Sequence, residues 1–187
     1  MVLDGVILIG GKSRRFGSNK ANITIAGKTL LERTRELMHT ALGTPPIIVG
    51  GDQHSDKRSD VGPLGGVETA FEISSADALV IVACDMPGLS AELIQYLAKH
   101  PSQSTVVMPR VNDYPHPLCA RWCRNAKETI TSALDEGRHS VRELLTRLDV
   151  TIVDASELIA HQINPHQSLF NVNHPADLAH YQSKYRT

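Results

Sequence analysis

Short, uninterrupted apolar runs alternate along this chain with segments that carry an apolar residue every three or four positions. The apolar runs lie at residues 5–9, 47–49, 78–83 and 105–108. Runs of this kind are typical of strands buried on both faces, and the spaced segments predict amphipathic helices. The alternation predicts an α/β fold with three layers (α/β/α) and a mostly parallel sheet. We expect residues 1–187 to form a single domain, since this length suits one hydrophobic core.

Local signals predict where several of these helices begin. Thr29 and Ser140 are each followed three residues later by a glutamate, which is the spacing of a capping box. Ser90 can cap a further helix, and Pro175 suits the first turn of the last one, where its missing N–H costs nothing. The sequence therefore predicts a helix after each of these residues, and helical spacing predicts another over residues 126–136.

The composition excludes several classes of partner. Lysine and arginine total 19 against 20 acidic residues, so the net charge of −1 argues against a general nucleic-acid binder. Aromatic residues make up only 4% of the chain, so stacking platforms for single-stranded nucleic acid are scarce. Three cysteines indicate a reduced, cytoplasmic location. No apolar run approaches the ~20 residues of a membrane helix, so we expect no membrane partner.

A glycine-rich, cationic turn follows the first predicted strand. It opens with two glycines and then carries four cations within nine residues: Gly10, Gly11, Lys12, Arg14, Arg15 and Lys20. Bare backbone N–H groups, arginine forks and a lysine together suit a polyphosphate. The spacing matches neither a P-loop, whose first glycine would stand at Val6, nor the G-x-G-x-x-G of dinucleotide-binding proteins. The alternative interpretation is a tight turn with solvated arginines.

A carboxylate, Asp85, comes directly after the most apolar predicted strand. In α/β sheets, ligands bind at the carboxyl ends of the strands, so this side chain is expected to face a ligand crevice. A hard oxygen ligand there suits Mg²⁺, which usually takes one or two carboxylates together with substrate phosphates. The alternative is that Asp85 only caps the turn before Ser90.

Residues 62–66, with the sequence Gly-Pro-Leu-Gly-Gly, predict a helix start that is almost free of side chains. Such an N-terminus can receive a base or a phosphate against its N–H groups, or it can simply pack closely on the sheet. Asp56 and Asp60 stand just upstream, where either could orient a ribose or a base, or be solvated.

Two amides, Asn171 and Asn173, alternate in a short segment before the last predicted helix. Paired amides can bind the edge of a heterocycle or a phosphate. The alternative is that Asn173 or His174 caps the helix.

The spacing of His116, Cys119 and Cys123 invites a zinc interpretation, but it lacks a fourth ligand at a sensible distance. No G-x-S-x-G motif or other nucleophile with its base is present in the sequence, so covalent hydrolase chemistry has no support.

Several segments, taken together and in order, resemble one known family. Residues 8–20 resemble the L-A-G-G-x-S-x-R-M-G-x-D-K signature of NTP transferases. Together with residues 62–66, 84–87, 117–118 and 170–178, they are most similar to the MobA-type molybdenum cofactor guanylyltransferases. The resemblance implies a Rossmann-like nucleotidyltransferase sheet and an enzyme that transfers GMP from Mg-GTP to the phosphate of molybdopterin. Molybdopterin guanine dinucleotide and pyrophosphate would be the products.

The resemblance also implies roles for individual residues. The guanine and ribose would lie against Leu8, Ile9 and Gly10, and the phosphates beside Gly11. The resemblance implies that Arg15, Lys20 and Asp85 are catalytic. Arg15 and Lys20 would hold the triphosphate, and Asp85 would bind both the nucleotide and Mg²⁺. The family's further nucleotide-binding aspartate corresponds to Asp56 or Asp60, and the pterin side corresponds to Asn171 and Asn173.

Three positions depart from the family pattern, and one of them, Asn19, together with the short loop before Gly62, keeps a non-catalytic alternative open. Ile9 replaces alanine, Phe16 replaces methionine, and Asn19 replaces an aspartate that could orient the following lysine. The alternatives are a molybdopterin cytidylyltransferase, another small-molecule nucleotidyltransferase, and a non-catalytic protein that binds a nucleotide or cofactor. The expected partners are GTP and molybdopterin, with molybdoenzyme maturation proteins as further candidates.

Overall fold

The computed structural model describes residues 1–9, 20–51, 54–58 and 60–185. The strands are β1 (Leu3–Leu8), β2 (Thr24–Ile25), β3 (Lys28–Thr29), β4 (Ile47–Val49), β5 (Ala78–Ala83), β6 (Val106–Val111), β7 (Tyr114–Pro115), β8 (Cys119–Cys123) and β9 (Val150–Asp154). The helices are α1 (Leu30–Leu42), α2 (Pro63–Ile73), α3 (Ala91–Lys99), α4 (Ala126–Asp135), α5 (Val141–Leu145), α6 (Ala155–Ala160), α7 (Pro165–Ser168) and α8 (Pro175–Tyr185). A short 3-10 helix spans Lys20–Asn22.

The main sheet is mixed, with most of its strands parallel. β4, β1 and β5 lie side by side in parallel, and β6 and β9 form a second parallel pair. β8 lies antiparallel between β5 and β6, and β7 pairs antiparallel with β6. Among the described residues, five strands of this 7-stranded sheet therefore run in one direction, and only β7 and β8 run against it. The expected mostly parallel sheet is confirmed.

Helices cover both faces of the sheet because successive side chains of a strand point to opposite faces. Val6 and Leu8 of β1 belong to the apolar cluster that contains residues of α2, α4 and α5. Ile7, between them, belongs to the cluster that contains residues of α1, α3 and α6. The predicted three layers are thus confirmed.

The predicted helix caps form as their spacing requires. Thr29 Oγ1 accepts a hydrogen bond from the Glu32 N–H at 3.1 Å, and Glu32 Oε2 accepts one from the Thr29 N–H at 2.8 Å. Ser90 and Ser140 each accept a hydrogen bond from the N–H three residues later, both at 3.2 Å. None of the described helices combines the length and the apolar character that a membrane-spanning helix needs.

Candidate nucleotide and acceptor site

The carboxyl ends of β1 and β5 meet at one edge of the sheet. Leu8 of β1 lies opposite Ala83 of β5, and the Cys84 N–H donates to the Leu8 carbonyl at 3.3 Å. Asp85 follows two residues after β5, so it lies at the same edge as Leu8 and Ile9. Because the two strands are parallel and in register, residues more than 70 positions apart in the chain converge there.

Most of the predicted phosphate-binding turn lies outside the part of the chain that the structure describes. Gly10, Gly11 and Arg15 lie outside the described residues. Lys20 begins the short 3-10 helix that follows, and its side chain is likewise outside the description. Their implied contacts with a triphosphate therefore stay predictions.

One side of this edge is formed by Leu8, Asp56 and Gly66. A Cβ added to Gly66 would lie 3.2 Å from Leu8 Cδ2 and 3.5 Å from Asp56 Oδ1. The absence of a side chain at Gly66 thus allows Leu8 and the Asp56 carboxylate each to lie close to the backbone of α2. Although Asp56 is exposed as a residue, partial desolvation of its carboxyl raises its pKa above the usual range. Asp60, the other candidate, is exposed in the turn before α2 with a φ of 60°.

An ion pair between the partly exposed Arg58 and a buried glutamate of α2 holds the segment that carries Asp56. The carboxylate of Glu68 is fully buried, and it accepts hydrogen bonds from Arg58 Nε at 2.9 Å and from Thr131 Oγ1 at 3.0 Å. These bonds to Glu68 raise the pKa of Arg58, which is therefore charged at any ordinary pH. The Lys57 N–H also donates to Thr69 Oγ1 at 3.0 Å. Sequence reasoning missed Glu68, although a glutamate between Val67 and Thr69 of an apolar helix is a usable signal.

On the other side of Asp85 lies a cavity of about 780 Å³, named here the acceptor cavity. It opens beside the carboxyl end of β5 and is bordered by β6, β7, α5 and the segment before α8. The polar side chains on its wall include Asp85, Arg110, His116, Arg142, Asn171 and Asn173. Arg110 is paired there with Asp154 at 2.9 Å.

A backbone hydrogen bond holds the segment of Asn171 and Asn173 beside this cavity. The Val172 N–H donates to the Asp85 carbonyl at 2.8 Å, which fixes the segment of both asparagines beside Asp85. His174 stands directly before α8, and its carbonyl accepts hydrogen bonds from the N–H groups of Asp177 at 3.0 Å and Leu178 at 3.4 Å, so it occupies the capping position. The N–H groups of Asn173 and His174 donate to the Asp177 carboxylate at 2.8 and 2.7 Å, so this turn also fixes Asn173 at the start of the helix.

Residues 5–152 match the family model described as the MobA-like NTP transferase domain, which covers more than half of the chain. The chain belongs to this family. A probable molybdenum cofactor guanylyltransferase from Haloferax mediterranei is 29% identical over 84% of this chain and 83% of its own length. One from Bacillus cereus strain Q1 is 30% identical over 84% of this chain and 86% of its own.

Two solved structures support the fold of the family. The molybdopterin-guanine dinucleotide biosynthesis protein A of Archaeoglobus fulgidus has a TM-score of 0.83 at 24% identity, over 98% of both chains. The 2-C-methyl-D-erythritol 4-phosphate cytidylyltransferase of Thermus thermophilus has a TM-score of 0.66 at 14% identity, over 100% of both. The predicted Rossmann-like nucleotidyltransferase fold is confirmed, and the chain is a nucleotidyltransferase of this family.

Ile9, which replaces the family's usual alanine, packs against two glycines that follow β4. A Cβ on Gly51 would lie 3.1 Å from Ile9 Cδ1, and one on Gly50 would overlap the Ile9 carbonyl oxygen. Gly50 has a φ of 97°, a left-handed conformation that glycine adopts without strain. The larger side chain is therefore accommodated by bare backbone of the neighbouring strand end.

The donors at this edge fit magnesium better than zinc. Asp85 offers a carboxylate from the end of a buried strand, and the neighbouring amides of Asn171 and Asn173 add oxygen donors. Magnesium requires only one or two carboxylates when a substrate supplies phosphate oxygens. In the described part of the chain, no group of three His, Cys, Asp or Glu side chains is arranged to hold a metal ion. Cys119 is fully buried, which raises the pKa of its thiol to about 12 and keeps it protonated.

Proposed function

We propose that this chain transfers GMP from Mg-GTP to the phosphate of molybdopterin, forming molybdopterin guanine dinucleotide and pyrophosphate. Membership of the MobA-like family and the names of relatives about 30% identical over most of the chain support this function. The observation that carries it is the position of Asp85, which follows β5 between the ends of β1 and β8 and lines the acceptor cavity. Leu8, Asp56 and Gly66 lie on the β1 side of Asp85, and the acceptor cavity lies on the β8 and β6 side.

This arrangement suits a reaction that joins two substrates. The nucleotide base would lie against Leu8 and Gly66, and the ionised carboxylate of Asp56 would accept hydrogen bonds from it or from its ribose. We assign the family's nucleotide-binding aspartate to Asp56, and not to Asp60, because the Asp56 carboxylate lies beside Gly66, which also contacts Leu8. Gly10 and Gly11, with Arg15 and Lys20, would hold the phosphates, as the resemblance implies.

The chemistry needs alignment more than it needs a proton acceptor. An oxygen of the acceptor phosphate attacks the α-phosphorus of GTP, and the bond from that phosphorus to the bridging oxygen of the β-phosphate breaks in line with it, releasing pyrophosphate. A phosphate is already anionic at neutral pH, so no general base is required. Asp85 would hold the Mg²⁺, which, when bound, neutralises phosphate charge. Asn171 and Asn173 would position the acceptor from the other side of the site.

The decisive experiment is pyrophosphate release from GTP and Mg²⁺ with molybdopterin supplied. Asp85→Asn should remove most Mg-dependent turnover while the protein stays folded, and Asp149→Asn, outside the cavity, should have no effect. Near-normal turnover of Asp85→Asn would refute the role of this carboxylate. Turnover with CTP in place of GTP would indicate a cytidylyltransferase, and GTP binding without release would indicate a non-catalytic protein.

The same proposal includes a cytoplasmic location and molybdoenzyme maturation proteins as partners. No disulfide links Cys84, Cys119 or Cys123, which supports a reduced compartment. Expression of a tagged chain followed by fractionation, with thiol labelling under native and denaturing conditions, would test the location.

A further inference from the structure

Four side chains form a wall shared by two neighbouring cavities. A second cavity of about 470 Å³ lies beside α7 and α8, and Tyr114, His116, Asn171 and Asn173 line both it and the acceptor cavity. The two cavities therefore meet at these four residues. An acceptor whose phosphate lies beside Asp85 would extend along this wall.

The aromatic half of the wall is held at the tip of a tight hairpin. Asn112 and Asp113 join β6 to β7 with φ values of 51° and 60°, and Val111 pairs directly with Tyr114 across this two-residue loop. Two successive positive φ values are the signature of a type I′ turn, whose twist matches that of the flanking strands. The position of Tyr114 is thus set by the backbone and not by a flexible loop.

The ring of Tyr114 has an uncovered surface, which is unusual for an aromatic side chain in this protein. The residue is 65% exposed, whereas Tyr181 and Phe71 are each only 1% exposed. The ring centroid of His116 lies 5.3 Å from that of Tyr114, at an interplanar angle of 73°. This edge-to-face contact supports the Tyr114 ring from one side and leaves area for another flat group.

His116 is held as a neutral group at the same place. The backbone of His116 is fixed by two hydrogen bonds. Its backbone N–H donates to the Pro109 carbonyl at 2.9 Å, and its backbone carbonyl accepts from the Cys119 N–H at 3.0 Å. Desolvation lowers the pKa of the His116 imidazole to about 4, so it carries no charge at neutral pH. A neutral imidazole offers one donor and one acceptor and does not repel or attract a net charge.

We propose that Tyr114 and His116 form a platform on which the ring system of the acceptor stacks, beside Asn171 and Asn173, for which the family resemblance already implies the pterin side. The ligand class is a flat, uncharged heterocycle with donors and acceptors on its rim, such as a pterin. The inference rests on the proposed function, because the acceptor cavity lies on the far side of Asp85 from Leu8 and Asp56. A nucleotide base bound at that near side would not reach the platform.

Variants of Tyr114 test the platform with two independent measurements. The first is binding of neopterin, followed by its own fluorescence without any turnover. The second is the KM for molybdopterin and for GTP in the pyrophosphate-release assay. Tyr114→Ala should weaken neopterin binding and raise the KM for molybdopterin about tenfold, as expected for loss of one stacking ring. The KM for GTP should stay unchanged.

Conservative and control variants separate stacking from general damage. Tyr114→Phe keeps the ring face and should recover most of the lost affinity. His116→Leu keeps apolar bulk without the ring and should weaken neopterin in the same direction as Tyr114→Ala. Ile159→Ala removes a side chain that is 59% exposed but does not line the cavity, and it should match the wild type.

The outcomes distinguish this inference from the proposed function. Loss of neopterin binding in Tyr114→Ala supports the platform even when the wild-type chain releases no pyrophosphate, in which case only the proposed function fails. Three results would overturn the platform: no neopterin binding by the wild type at millimolar concentration, equal binding by Tyr114→Ala, or a raised KM for GTP instead of molybdopterin.

Discussion

Gly88→Ala should move Asp85 and the segment of Asn171 apart in the candidate site while leaving the protein folded. Gly88 lies in the loop that follows β5, three residues after Asp85. A Cβ built on it would lie 2.2 Å from the carbonyl oxygen of Gln167 and 2.9 Å from its carbonyl carbon. Gln167 belongs to α7, directly before the segment of Asn171. The contact therefore sets the spacing between Asp85, the proposed magnesium ligand, and the segment of Asn171.

The size of the effect follows from the overlap. A carbon and a carbonyl oxygen normally approach to about 3.3 Å, so the new methyl group must push the two backbones apart by about 1 Å. Overpacking of this kind costs ~1–3 kcal/mol of stability. A misplacement of about 1 Å between reacting groups can cost on the order of 100-fold in rate. We therefore expect kcat/KM for molybdopterin to fall by roughly tenfold to 100-fold. GTP binding should change less.

The assay is pyrophosphate release at a temperature well below the unfolding midpoints of the wild type and of Gly88→Ala. Far-UV circular dichroism confirms that both proteins are folded. Gly43→Ala is the matched control, because Gly43 ends α1 with a φ of 77° and has no atom within 4 Å of an added Cβ. It should lose a comparable ~1–2 kcal/mol through backbone strain, with unchanged activity. A folded Gly88→Ala protein with wild-type kcat/KM would refute the argument that this contact sets the spacing of the site.

Three further predictions concern the nucleotide side and the frame beneath it. Gly66→Ala gains up to ~1 kcal/mol of helix propensity but places a methyl group 3.2 Å from Leu8 Cδ2, so its melting temperature should change little while its GTP-induced thermal shift shrinks; an undiminished shift would contradict the position of the base. Arg124 donates hydrogen bonds at 2.6, 3.2 and 2.7 Å to three carbonyl oxygens in and just after the last turn of α2. Arg124→Met should lower the free energy of unfolding in urea by about 2–4 kcal/mol, whereas the surface variant Arg138→Met should lower it by less than ~1 kcal/mol. Equal losses in the two variants would contradict a structural role for the Arg124 hydrogen bonds. The raised pKa of Asp56 means that its carboxyl gains a proton at a higher pH than an ordinary aspartate does as the pH falls. GTP affinity measured by titration should then decline on mild acidification, and Asp56→Asn should lose that pH dependence.

Much of the architecture could be predicted because it depends on neighbours along the chain. The cap of α1 needs only Thr29 and Glu32, and α8 begins at Pro175 as expected. The continuous apolar run of β5 is enough to identify a buried central strand. The sequence did not predict β9, because Thr151 interrupts its short apolar run. In the structure, only Val153 of this strand is buried.

The choice between Asp56 and Asp60 shows where such reasoning ends. Both are acidic residues a few positions before α2, and nothing local distinguishes them. The difference arises because Glu68, buried within α2, holds Arg58 and with it the segment of Asp56. The burial of the Glu68 carboxylate depends on the surrounding chain, which no short stretch of sequence specifies.

By itself the sequence determined the central buried strands, most of the longer helices and the family resemblance, because caps, apolar periodicity and motifs are properties of residues close together in the chain. Only the tertiary structure decided which side chains share the site. The bond from the Val172 N–H to the Asp85 carbonyl joins positions 87 residues apart (172 minus 85), and it brings Asn171 and Asn173 beside the strand end. The contact of Gly88 with Gln167 sets the same spacing. Such contacts arise only when the whole sheet and both layers of helices have packed, since their geometry is a sum over the entire core.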